Sequence, residues 1–279
     1  MRLTPAHLVT ASLAPLAFTT LVACGDDGAT GDSDTSGDIS EIETSPDTTD
    51  TADTTAMTGE IDGTWAMVET QTALVEVLGA VMEQRSVSYY RAVIADGKLT
   101  VGLCDWKTED DNRLYTTVMR PSLLAALGTF ERDLTLTPNG TGFDLATTEG
   151  VTTRGLNLTD LLTDTMPTEA SDARVIDQDS DSNPGISLII QGILQGELYV
   201  IHRHKATLSG ALESDTRISG RTAWTTEQVL LGSTPPELAE QDPKPQTHPD
   251  PSKSTFVMVK AEAGDDCAAL NAKRATLFP

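Results

Sequence analysis

Basic side chains are scarce in this chain: 19 Lys and Arg stand against 42 Asp and Glu, a formal net charge of -23. That shortage argues against nucleic acid or an anionic membrane surface as an electrostatic partner. Histidine is rarer still, at four residues, and His7 falls in the N-terminal leader, so transition-metal chemistry has few ligands to draw on. Signatures of catalysis are missing too: no nucleophile elbow, zincin helix, phosphate loop or Cys-x-x-Cys occurs. Hydrolysis therefore stands only as an alternative, with no residue assigned to it, and a binding or structural role is the expectation. Aromatic residues make up 4% of the chain, and none falls between residues 25 and 60. No Lys or Arg falls there either, while eleven Asp or Glu do. Such a segment cannot bury enough apolar area to offset its ordering entropy, so 24–60 reads as a disordered acidic linker. As a flexible chain it spans roughly 30 to 35 Å, and more where like charges repel. Residues 61–279 keep 31 acidic and 18 basic groups, so the remainder is acidic in its own right.

The chain opens with "MRLTPAHLVTASLAPLAFTTLVAC". A cationic start, a mostly apolar run and small residues before Cys24 are the physical layout of an export signal, here residues 1–23. The run is too short, and too interrupted by Thr, Ser and Pro15, to span a membrane. Its end, Leu21 to Cys24, resembles the lipobox of bacterial lipoproteins. The resemblance implies cleavage before Cys24, acylation of its sulfur and new amino group, and export to the cell envelope. Three acyl chains hold a protein far more firmly than one, at about 0.8 kcal/mol per buried methylene. Gly25 after the cysteine points, by the same resemblance, to the outer membrane, on its periplasmic or surface face.

From Ile61 onward short apolar runs alternate with turn signals, which predicts a single β-rich domain over 61–279. Asp96-Gly97 lies between Tyr90, Ala92, Ile94 and Leu99, Val101, Leu103, a hairpin pattern, and Asn139-Gly140 repeats it. Gly185 to Gly232 is the longest strand-rich region. Its glycines at 192, 196, 210 and 220 suggest bulges or bends where a sheet curls. Three helices are predicted. Leu74, Val77, Leu78, Val81 and Met82 share one face of "TQTALVEVLGAVMEQR"; "PSLLAALG" and "DDCAALNAKR" give two shorter ones. The Pro-rich stretch 235–254 holds six of the 14 prolines and reads as an exposed loop before a last strand, "TFVMVKA". The fold class is thus mainly β, a curled antiparallel sheet in barrel or sandwich form with two or three short helices, and α+β as the alternative.

Cys104 and Cys267 remain after the lipid anchor, and an even pair in an exported chain predicts a disulfide. Gly63-x-Trp65 resembles the Gly-x-Trp that opens the first strand of lipocalin-like barrels. That resemblance implies a barrel interior able to carry a small apolar ligand.

Two further stretches carry candidate ligands. "DQDSDSNPG" places Asp177, Asp179 and Asp181 at alternate positions, followed by Asn183, the early ligand spacing of a calcium loop. It resembles the start of an EF-hand loop, but Ser182 stands where Gly makes the sharp turn and Leu188 where the bidentate Glu belongs. A calcium ion there would bind at around 10⁻⁴ to 10⁻³ M and stabilise structure. His202 and His204 share one face of a strand with Leu198, Val200 and Ala206, half of a transition-metal site or simply the polar end of a core strand. In "KTEDDNR", Glu109, Asp110 and Asp111 read as solvent-facing acids. The chain as a whole reads as a membrane-anchored envelope lipoprotein with a β-rich binding or structural domain, its partner a protein or small molecule.

Overall fold

The computed structural model describes residues 61–279 apart from Leu78, 111–113, Thr141 and 242–243. The signal segment, Cys24 and the linker to residue 60 lie outside the described residues. Strand alternation builds the architecture. In β1 (Gly63–Val77) the odd positions from Trp65 to Val77 face inward, while Leu74 and Glu76 face out. Gly79, at a φ of 75°, turns the chain into β2 (Ala80–Ala95). Asp96 and Gly97, at φ 51° and 71°, then turn it into β3 (Lys98–Asp110), as the hairpin pattern predicts. β4 (Tyr115–Met119), a short helix α1 (Pro121–Ala126), β5 (Thr129–Asn139), β6 (Gly142–Thr147) and β7 (Gly150–Arg154) follow. After an excursion come β8 (Ile186–Gly192), β9 (Gly196–Ser214) and β10 (Arg217–Thr234), then β11 (Gln246–Thr247), β12 (Thr255–Lys260) and the C-terminal helix α2 (Cys267–Leu277).

All twelve strands belong to one antiparallel sheet, mainly β with two helices. Its pairings close on themselves. From β10 the order runs through β12, β1, β2, β3, β4, β8 and β9, and β9 pairs back to β10. At the opposite end the wall between β3 and β9 is spanned by β5 and β6 instead. β7 fills the middle, pairing β9 from Ala206 to His202. The barrel therefore has two storeys. Trp65, Ile94, Leu99, Leu208, Phe256 and Met258 pack the lower one solid. Val75, Trp106, Tyr115, Leu188, Leu198, Val200 and Trp224 line the upper one. Full burial of such side chains contributes about 1.5 to 3 kcal/mol each.

One predicted helix is overturned. Residues 70–85 carry helical spacing, yet Gly63–Val77 pairs residue by residue with β2 on one side and, on the other, with β12 from Trp65 to Thr70 and with β11 at Ala73 and Leu74. A helix there would give up both ladders, and the Thr and Val content of the stretch also suits a pleated surface. The other two helices form as read, with Pro121 in the first turn of α1 and Asp266 capping α2 by accepting from Ala269 N at 2.9 Å. The glycines divide by role. Gly192 and Gly196 flank the β8–β9 turn, both at positive φ. Gly210 and Gly220 face each other across β9 and β10, where a Cβ on either would strike the Phe256 ring.

α2 lies against β2 and β3. Cys104 and Cys267 stand at disulfide distance, S–S 1.93 Å, across a separation of 163 residues. Arg274 joins that attachment, over the Tyr89 ring at 3.6 Å and bonded to Asp105 at 2.8 Å. The 235–254 stretch is less of an excursion than its prolines suggest. β11 pairs with β1, Leu238 is buried, and Leu238 and Pro245 close over the upper storey.

Candidate ligand-binding cavity

The upper storey contains a cavity of about 110 Å³. That is below the roughly 150 Å³ of a dry apolar cavity that holds benzene, so a longer ligand has to displace side chains that close over it. Its upper wall is apolar, formed by Val75, Val77, Leu188, Ile190, Leu194 and Leu198. Trp106 and Trp224 also line it, from opposite arcs of the barrel. Its floor is polar, and strand register explains why. Glu69 and Gln71 occupy the same inward set of β1 as Trp65 and Ala73; His202 and His204 occupy that of β9; Gln228 follows Trp224 and Thr226 on β10. These side chains meet where the lower core ends.

Glu69 is 2% exposed and accepts a hydrogen bond from Gln71 Nε2 at 2.9 Å. The same amide nitrogen lies 3.2 Å from His204 Nε2, which accepts, leaving the proton of that ring on Nδ1. His202 Nε2 lies 2.6 Å from Gln228 Oε1 and donates to it. Burial, then the nearby Arg154 charge, pushes the His202 pKa down to about 4. Burial, with Arg154, His202 and Arg132, pushes His204 to about 3. Both rings are therefore neutral at pH 7. Burial raises the Tyr90 phenol above its usual range, with Glu69 adding to the effect, and lifts Tyr115 to about 12.

Two guanidiniums share this layer. Arg132 is 6% exposed, donates from Nη1 to Ala206 O at 3.4 Å and lies 4.9 Å from the Phe130 ring centre. Its Nε has no partner among the described residues. Arg154, opposite His202 in the β7–β9 register, borders the cavity itself. Loss of water lowers the pKa of both arginines, partly offset by Glu69 and Tyr90.

The histidine pair is thus inside the barrel, on the cavity floor, rather than at an emerging strand end. Gln71 and Gln228 hold the pair and Arg154 borders it, and among the described residues no third metal ligand converges with the two rings. Glu69, Gln71, Arg154 and Gln228 were not singled out by sequence. The odd-position alternation Trp65, Met67, Glu69, Gln71, Ala73 is the signal that points to the first two, once the stretch is read as a strand.

The acidic loop lies on the outer surface, where the 155–185 excursion returns to β8. Carboxylate oxygens of Asp177, Asp179 and Asp181 all fall within 4.8 Å of one another. Asp177 accepts from the N–H of Asp181 and Ser182, and Asp181 from Ser187 Oγ at 2.5 Å, with Arg120 Nε at 3.5 Å. Asn183 enters through its backbone N–H, donating to Asp181 Oδ1 at 2.9 Å. Asp179, 3% exposed, accepts from Ser187 N at 3.1 Å through Oδ2, while Oδ1 has no partner among the described residues. Burial, then the Asp181 and Asp177 charges, raise its pKa. Asp110 departs from its solvent-facing expectation: it is 1% exposed and accepts from the N–H of Leu114 and Tyr115.

Comparison with family models, with curated proteins and with solved structures finds no match to this chain.

Proposed function

We propose that the protein is an exported envelope lipoprotein whose barrel binds a small, largely apolar ligand. Acylated Cys24 is the anchor, by the lipobox resemblance of Leu21 to Cys24, and 25–60 is the tether that holds the barrel off the outer membrane. The observation that carries the binding role is the upper-storey cavity, apolar along its upper wall and polar at its floor. A purely structural barrel has no use for that arrangement, since a buried polar layer costs stability unless it is fully paired. Trp106 and Trp224 report on occupancy directly. Their fluorescence, titrated with 1-octanol, is expected to change saturably, and Ala73→Phe, which puts a ring into the cavity, is expected to abolish the change. A response that does not saturate, or that survives Ala73→Phe, contradicts the reading.

We propose in addition that Asp177, Asp179 and Asp181 take a calcium ion that stabilises the return to β8. The support is Asp179 Oδ1, buried without a partner beside two other carboxylates. Calcium at ten times its Kd should add about 1.4 kcal/mol, roughly 2 to 4 °C in Tm for a domain of this size. Asp179→Ala should remove the difference between melts in calcium and in chelator; equal wild-type melts rule the ion out.

A further inference from the structure

The floor of the cavity carries an unbalanced charge. Glu69 is the one carboxylate within electrostatic reach of Arg132 and Arg154, among the described residues whose charges shift those two guanidiniums. Asp110, the other buried acid of the upper storey, is already engaged by two backbone N–H groups. The histidines add no charge at neutral pH. One carboxylate therefore faces two guanidiniums, and a surplus cation in a low-dielectric interior is costly unless something else neutralises it. Arg154 is where the surplus is reachable: its side chain makes no hydrogen bond among the described residues, and it lines the cavity.

We propose that the ligand is an organic monoanion, a carboxylate gripped by Arg154 with its apolar chain running toward Val75, Leu188, Ile190 and Leu198. This rests on the reading of the barrel as a small-ligand binder and specifies its ligand. One surplus positive charge calls for one negative charge; a dianionic head would reverse the imbalance rather than cancel it. The planar fork of a guanidinium matches a carboxylate in two parallel hydrogen bonds. Ser86, on the cavity wall, supplies a further hydroxyl donor. The apolar wall above them excludes a wholly polar anion.

The test uses the chain from residue 24 with Cys24→Ser, so that no acyl group competes for the cavity. Octanoate, 1-octanol and octylamine are titrated against Trp106 and Trp224 fluorescence. Octanoate should bind at least about tenfold tighter than 1-octanol, the scale of a charge-assisted hydrogen bond, and octylamine weakest of the three. Arg154→Gln should bring the ratio of octanoate to 1-octanol affinity from at least about tenfold down to about one, and its melt should be no lower than wild type without ligand. If Arg154→Gln does not fold, Arg154→Lys, which keeps charge but loses the fork, should reduce the preference. Equal wild-type affinity for octanoate and 1-octanol, or an octanoate preference untouched in the folded Arg154 variant, overturns the monoanion and leaves small-ligand binding standing. Binding of none of the three overturns both.

Discussion

Glu69 is the carboxylate whose charge reaches both Arg132 and Arg154 among the described residues. Glu69→Gln keeps the shape and removes the one negative charge that offsets these guanidiniums, so it should lower stability, by about 1 to 3 kcal/mol on the scale of an uncompensated buried charged group. Urea unfolding checks this, and an unchanged midpoint contradicts it. His202 and His204 act through protons. Their folded pKa values, about 4 and 3, lie below the unfolded value of about 6.5, so in that window the unfolded chain binds more protons. Their contribution is complete above about pH 6.5 and is lost as pH falls toward the folded values, at about 1.4 kcal/mol per pH unit per ring. Tm should fall more steeply from pH 6.5 to 4 in the wild type than in His202→Gln/His204→Gln; parallel slopes would mean the rings are not buried neutral. At this scale the sequence showed which histidines share a face, but not that the face is a cavity floor. Gln71 and Gln228, which hold the two rings, come from strands 133 and 26 residues away, and no local pattern links them.

Elements were legible where local chemistry dictates them. Asp96-Gly97 and Asn139-Gly140 form their hairpins because positive φ is cheap at glycine, and α1 and α2 begin where Pro121 and Asp266 allow. Residues 70–85 fit a helical stripe through Leu74, Val77, Val81 and Met82, yet the stretch folds back on itself about Gly79, Val77 pairing Ala80 and Ala73 pairing Gln84. A hairpin turn at Gly79 and its cross-strand pairs overrode the helical spacing, as context does for β propensity generally. Gly220→Ala tests the tight β9–β10 crossing: its Cβ would meet Ser209 O at 2.2 Å and the Phe256 ring at 2.7 Å. Overpacking of that kind costs about 1 to 3 kcal/mol. The Cys104–Cys267 link fixes α2 to β3, and its loss in Cys104→Ser/Cys267→Ser should cost up to about 5 kcal/mol in the chain-entropy view. A melt indifferent to both cysteines contradicts the attachment.

Across the whole molecule, sequence foretold a curled antiparallel sheet, and the structure closes it into a two-storey barrel through the β9–β10 pairing. Sequence left barrel and sandwich both open, since closure depends on β3 and β9 being bridged by different strands at the two ends. The proposed anchor makes its own prediction: Cys24→Ser should move the protein from the membrane fraction to the soluble one, and retention in the membrane contradicts acylation at Cys24. The central claim concerns the cavity, and methyl-resolved NMR tests it most directly. On titration with octanoate, Leu188, Ile190 and Leu198 methyls should shift together and saturate, while Met258 and Leu208 in the packed lower storey stay still. Shifts confined to exposed Val81 and Ile193, or none at all, would contradict a ligand inside the barrel.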